Sequence, residues 1–439
     1  MRQSRFLAVA GVAIMGLAVG ACDIDKLLEA RSPTRIPAER IERDPATAAL
    51  FVNSAIGNFE CAFGSYIVAG GLIGEELEDA TATANRFPYD RRNTQPADIR
   101  YSTFGCEAVG TYAPLQTARV SANTIRRWLE EWTDQELANR RLLLAQAAAF
   151  EAYSMLLLGE GFCSMVFSTI ADDGITVEYG TEITRQQVFQ QAETRFGQAI
   201  AEAEAVGTTA SNVLNLARVG RARTRLNLAV VNGAVVDAAK LADARLEAAA
   251  VPPTFVYNMT AEETPNRREN RVWDENNSRF TPTSTVGTHY RTLNDPRVPV
   301  QNLNRNASNT GVALWLQLKY PQAQNTIPIA SGDEAQLIVA EADIVPNPNN
   351  TITLLDMFRA RGNQGPYAGG LTPAELRAEV IDQRRRELYL EGQHLGDVIR
   401  YGIALRPSQG TPFPGGGTFE NQVCLPLPQT ERLNNPMLQ

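Results

Sequence analysis

Between residues 45 and 250, apolar positions recur three and four apart, the spacing that gathers side chains on one face of an α-helix. Residues 45–61 place Ala49, Phe51, Val52, Ala55, Ile56 and Phe59 in this register. Residues 109–132 repeat it with Tyr112, Leu115, Ala118, Ala122, Ile125 and Leu129. Residues 140–158 are rich in alanine and leucine, both strong helix formers, and Gly159 and Gly161 close the run. Residues 184–205 and 211–230 predict another helix pair, followed by 235–250. Alanines along these faces allow helix axes to approach closely. The expected architecture is mostly α: stacked, tetratricopeptide-like helical hairpins with little strand, although the hallmark residues of that repeat are incomplete. A later helix starts at Thr372-Pro373, with Gly392 as its expected stop.

Helical periodicity disappears between residues 252 and 329, where Asn, Thr, Pro and Arg dominate. Aromatic residues are scattered through that stretch: Phe255, Tyr257, Trp273, Phe280, Tyr290, Trp315 and Tyr320. Residues 63–103, with Phe87, Tyr89 and Tyr101, have a similar character. Irregular stretches of this length in a compact protein usually carry function or lack fixed structure. Both are expected as loop excursions from a helical scaffold that spans about 46–250 and 330–402.

The first 21 residues read as a secretory leader. Arg2 and Arg5 supply the basic start, and residues 6–19 an apolar core too short to span a bilayer stably. Val19-Gly20-Ala21-Cys22 follows the lipobox pattern, so Cys22 is expected to carry lipid. Several acyl chains make a stable anchor where one does not. Residues 22–45, rich in charge and proline, would tether that anchor to a folded body over 46–439. Asp23 follows the cysteine, a position at which aspartate retains some lipoproteins at the inner membrane. No later stretch has about 18 uninterrupted apolar residues.

With 49 acidic and 41 basic residues the chain is acidic, and loss of Arg2 and Arg5 makes it more so. Nucleic acid is an unsuitable partner. Beyond Cys22 the cysteines are Cys61, Cys106, Cys163 and Cys424, whose spacing suits no zinc site. Export makes disulfides plausible. A hairpin between 106 and 163 would bring its outer ends together, which favours Cys106–Cys163, with free buried thiols as the alternative. Catalytic constellations are scarce. His289 and His394 are the only histidines, and no nucleophile elbow G-x-S-x-G accompanies them. Glu391, His394 and Asp397 lie three apart but lack the second set that a dimetal site would need. Glu75-Glu76 and Asp172-Asp173 are adjacent carboxylates, which normally point apart, whereas a glycosidase needs a defined separation across a cleft. No phosphate-cradling glycine loop is present, and no metal or cofactor is expected.

Residues 381–402, IDQRRRELYLEGQHLGDVIRYG, are the most distinctive stretch. Arg384, Arg385, Arg386, Glu387, Leu388, Glu391, Gly392, His394, Asp397, Arg400 and Gly402 resemble the C-terminal signature of the SusD/RagB family, with Gln393 inserted and Tyr401 where tryptophan is usual. Asp295-Pro296-Arg297, the helix at 333–342, LLLGEGF at the end of the 140–161 segment, and LPLPQTERLNN at 425–435 resemble further family segments in the same order. Physically, three arginines facing acidic residues would tie neighbouring helices together, a buttress more than a catalytic site.

The resemblance implies an outer-membrane, lipid-anchored, non-catalytic protein that captures a nutrient, usually a glycan, for a SusC-like TonB-dependent β-barrel transporter. A sugar presents apolar C–H faces that aromatic rings can cover, and hydroxyls that Asn, Asp, Arg and Gln can bond. Trp273, Tyr290, Trp315 and Tyr320 are therefore the candidate ligand contacts, with Tyr89 and Tyr101 behind them; for each, packing in the core is the competing reading. Two rival functions are a periplasmic glycan hydrolase and a helical-repeat adaptor in envelope assembly.

Overall fold

The computed structural model describes residues 44–263, 269–278 and 280–439. The leader, Cys22 and the tether lie outside the described residues. The described residues are 53% helix and 12% strand, so helices carry the fold.

Helix α1 (Ala48–Ile73) runs a dozen residues beyond the expected Cys61. From Ala62 to Ile73 every side of it is buried. A helix covered all round shows no polar stripe, so its period vanishes from the sequence. Gly64 makes room for a neighbour: a Cβ there would stand 3.1 Å from that of Arg271. Helices α2 (Tyr112–Glu131), α3 (Arg140–Gly161), α4 (Arg185–Val206), α5 (Ser211–Ala229) and α6 (Ala238–Ala249) continue the stack. Thr184 and Gln187 form a reciprocal cap at the start of α4, and the Asp237 carboxylate caps α6. Residues 45–73 and α3 are apolar and long enough to cross a membrane, yet 83% and 89% of their apolar windows are buried inside the fold. They form its central core. Phe59, Phe150, Tyr153 and Phe196 meet edge to face there, Tyr153 and Phe196 with centroids 5.0 Å apart. Gly220 of α5 is indispensable to that contact, since a Cβ would fall 2.3 Å from the Phe196 ring.

The 252–329 excursion contains more pairing than its sequence suggests. Strand Val256–Met259 pairs antiparallel with Ile327–Ser331, so the excursion leaves and rejoins the helical body at one place. Ser331 then caps α7 (Gly332–Ala342) by accepting from Glu334 N at 3.0 Å. Within the excursion, Val300–Asn306 and Ala313–Gln317 form a hairpin, and Ser284–Val286 pairs with Leu77–Asp79 beyond α1.

Helices α8 (Pro348–Arg361), α9 (Pro373–Glu387) and α10 (His394–Tyr401) complete the body. Helix α9 ends at Glu387, not at Gly392 as expected. Leu390 and Gly392 both take left-handed backbone, φ 54° and 74°, so residues 388–392 form a tight link between α9 and α10. The Leu390 N–H in that link donates to the buried Glu76 carboxylate at 2.8 Å.

The Cys106–Cys163 pairing is not found. The disulfides are Cys61–Cys106, joining α1 to the approach of α2, and Cys163–Cys424, joining the end of α3 to the C-terminal tail. The tail runs beside the end of α3, with Cys163 N donating to Leu425 O at 2.9 Å and Leu425 N to Gly161 O at 2.8 Å. A partner 261 residues away lies beyond what helix spacing can reveal.

Candidate binding face

The residues of the 381–402 stretch form a buried clasp. Arg384 donates to both oxygens of Asp397, at 2.8 and 3.0 Å, joining α9 to α10. Arg400 donates to Asp397 at 2.8 Å and reaches Glu341 of α7 at 3.4 Å. Burial alone would raise the Asp397 carboxyl, but the Arg384 and Arg400 charges outweigh it and hold it below the usual carboxylate range. Arg386 binds Asp382 and, at 3.1 Å, Asp295; Arg385 binds Asp382 of its own helix. Glu387 accepts from Arg297 and Arg361, and Glu391 from Lys319 at 2.7 Å. His394 lies edge-on to Tyr290, and burial pushes its pKa down to about 4. Glu391, His394 and Asp397 therefore face different partners. Glu75 and Glu76 also diverge: Glu75 accepts from Arg406 N, Glu76 from Leu390 N. Asp173 caps a surface turn by accepting from Ile175 N and Thr176 N.

Four of the six candidate aromatics lie in the core. Tyr101, Tyr290, Tyr89 and Tyr320 are at most 4% exposed. Tyr89 and Tyr101 donate to the carbonyls of Val109 and Pro426, each at 3.1 Å, and Tyr290 stacks on Tyr389 at 5.1 Å. These rings serve packing, where a sugar could not reach them. Trp315 is half-buried against the main core, and Trp273, on the short helix Arg271–Asn276, is half-buried as well.

The exposed chemistry lies where three loops converge. Asn309 and Thr310, in the turn of the hairpin, donate to the carbonyls of Thr81 and Ala80 at 3.2 and 3.3 Å. Beneath them Ala80, Leu303, Ala307, Val312 and Leu314 form a small apolar cluster. On the other flank Gly415 reaches Ala82 so closely that a Cβ would stand 3.2 Å from the alanine's. The base is fixed by polar bonds. Arg86 holds Glu275 through two bonds, at 2.5 and 2.9 Å, and Asn276 bonds the carbonyls of Ser284 and Trp315 and the Gln317 N–H. Burial would raise Glu275, but Arg86 and Thr283 bring it below its ordinary value.

Above that base the surface presents Asn302, Asn304, Asn309, Thr83 and, at 87% exposure, Phe280. The Arg305 guanidinium covers one side of the Phe280 ring, 4.2 Å from its centroid, and also donates to the Phe280 carbonyl. Phe280 was among the scattered aromatics but not among the candidates. Its setting, SRFTPT, has no apolar neighbour, and that is the one signal that separates it from the buried tyrosines.

Residues 334–423 match the SusD family model, a span that runs from α7 through the clasp into the tail. No curated protein matches by sequence. Among solved structures, a SusD superfamily protein from Parabacteroides distasonis superposes with TM-score 0.70 at 13% identity, covering 92% of this chain and 99% of its own. Surface glycan-binding protein A from Bacteroides uniformis gives 0.64 at 13% identity, covering 89% and 99%. A SusD-like carbohydrate binding protein from Bacteroides vulgatus gives 0.59 at 14%, covering 90% and 97%. The chain has the SusD fold over nine tenths of its length, and residues 334–423 carry its sequence match to the SusD family.

Proposed function

We propose that this chain of SusD fold is an outer-membrane lipoprotein of the SusD/RagB family, anchored through Cys22, that captures an oligosaccharide on the loop face and passes it to a TonB-dependent β-barrel. In this reading residues 1–21 are the leader, 22–45 the tether and 46–439 the binding body. The observation that carries it is Phe280, a ring left open to solvent on an asparagine- and threonine-rich surface. An aromatic face with amides around it matches the alternating apolar and hydroxyl surface of a sugar. Two proteins of the same fold are named for glycan or carbohydrate binding, which supports the ligand class. Tethering captured ligand beside a transporter raises its local concentration without chemistry.

Calorimetry of the full chain in detergent against a panel of oligosaccharides tests capture. Binding of at least one oligosaccharide, weakened at least tenfold by Phe280→Ala with an unchanged melting temperature, is the expected result. A Phe280→Ala protein that binds as tightly as the parent would remove the loop face as the site. Co-purification with a β-barrel, lost on Cys22→Ala, tests the delivery step.

A further inference from the structure

We infer that the loop face selects sugars that carry an anionic group, a carboxylate or a sulfate; this rests on the reading of that face as the carbohydrate site. The sign of the charge there is the unusual feature. The chain is acidic, and most arginines of its helical body meet carboxylates, among them Arg126 with Glu151, Arg223 with Glu160, Arg225 with Glu193 and Arg384 with Asp397, while Arg119, Arg185 and Arg377 bond carbonyls or Gln116 instead. On the loop face three arginines, Arg91, Arg92 and Arg305, have no carboxylate within ion-pairing distance among the described residues, although acidic residues outnumber basic ones in the chain.

Each of the three is held in place by something other than an acid. Arg305 lies on Phe280 and bonds its carbonyl through Nη2, which leaves Nε and Nη1 available beside the exposed ring. Arg91 stands next to Phe87 and Gly417, and its Nε is buried without a partner. Arg92 lies over Phe419, 4.9 Å from the ring centroid, and donates to the Pro407 carbonyl. The acidic groups around Arg92 are Asp90 and Glu75, whose carboxyls burial pushes up. The Glu420 carboxylate accepts from Gln409.

Like charges gathered on neighbouring loops repel, and a folded chain with surplus carboxylates gains by pairing them. Arg92 is buried, but Arg305 and Arg91 are partly in water, and a guanidinium placed there against a ring can bond an external anion through two parallel N–H groups. A sugar lying on the open side of Phe280 would bring an equatorial carboxylate or sulfate to the rim where Arg305 stands. A neutral sugar would leave that charge unanswered.

The test is calorimetry of the full chain in detergent with three probes: oligogalacturonate for carboxylate, a sulfated galactan oligosaccharide for sulfate, and maltoheptaose as the neutral control. At least one anionic probe should bind at least tenfold tighter than maltoheptaose, and raising salt from 50 to 500 mM should weaken it. Arg305→Gln should weaken that probe about tenfold or more, since one charge-assisted bond is lost, and leave the melting temperature unchanged. Arg91→Gln should weaken it by less. Binding of maltoheptaose with neither anionic probe bound, or an Arg305→Gln protein that binds the anion undiminished, overturns the anionic class and leaves carbohydrate capture standing. If no probe and no other sugar binds, both readings fall together.

Discussion

The clasp and the loop face use the same residue, arginine, in opposite ways. In the clasp Arg384 and Arg400 are almost wholly out of water and spend their charge on Asp397 and Glu341. On the loop face Arg305 and Arg91 remain partly in water with no carboxylate partner among the described residues. A buried ion pair is costly to desolvate, so it repays that cost only through good geometry, and removing one partner strands the other. An exposed arginine adds little to folding and stays free for a ligand. The difference separates what holds this protein together from what it offers to the outside.

The contrast is sharpest at Arg384. Arg384→Ala should lower the unfolding free energy by about 3–5 kcal/mol in urea titration, because Asp397 would remain buried and unpaired. A loss within 1 kcal/mol would deny the clasp its structural role. Replacing Cys163 and Cys424 together by serine should lower stability by about 2–4 kcal/mol under oxidising conditions, since the bridge closes most of the chain into a loop. Equal melting temperatures for parent and variant would show that the tail is held by its other contacts alone.

Glu76 tests whether burial without a full counter-charge is tolerated beneath the clasp. Burial raises its pKa to about 8, against the opposing Leu390 N–H and Lys319, while Glu391 and Asp397 add to the rise. A folded pKa above the unfolded value near 4.5 means that the unfolded chain loses its proton first as pH rises. The contribution is therefore intact below pH 4.5 and declines up to about pH 8. Glu76→Gln should match the parent near pH 4.5 and exceed it by on the order of 2 kcal/mol at pH 8. A parent-minus-variant difference that does not change with pH would show that Glu76 is charged in the fold. His394 has the opposite sign: its folded value near 4 lies below the ordinary histidine range, so its contribution is complete above about pH 6.5 and shrinks as pH falls toward 4. The smallest expected stability change is at the loop face. Phe280→Ala should shift unfolding by less than about 0.5 kcal/mol, as surface substitutions usually do, while sugar binding falls. A large stability loss there would mean that Phe280 is packing, like Tyr290.

Much of the architecture was legible because helix formation is local. Periodicity marked α2 to α6 within a few residues, and the clasp residues could be matched one by one. Periodicity failed for the second half of α1, since a helix covered on every side has no polar stripe. It failed again at residues 388–392, where a left-handed link replaces the expected continuous helix.

The site was less legible. Tyr89, Tyr101, Tyr290 and Tyr320 stand in irregular segments that resemble the setting of Phe280 in composition, yet they are buried and it is exposed. Without a regular period, burial depends on what other segments bring against a ring: Tyr389 against Tyr290, the Pro426 carbonyl against Tyr101. The disulfides have the same origin, for Cys163 meets Cys424 only because the tail returns to the end of α3. What the chain determined by itself was its helices, its acidic balance and its arginine-rich signature, all read from neighbours a few positions apart. Which arginines found acids, which rings met water and which cysteines met each other was decided by contacts between segments hundreds of residues apart, and those exist only once the chain is packed.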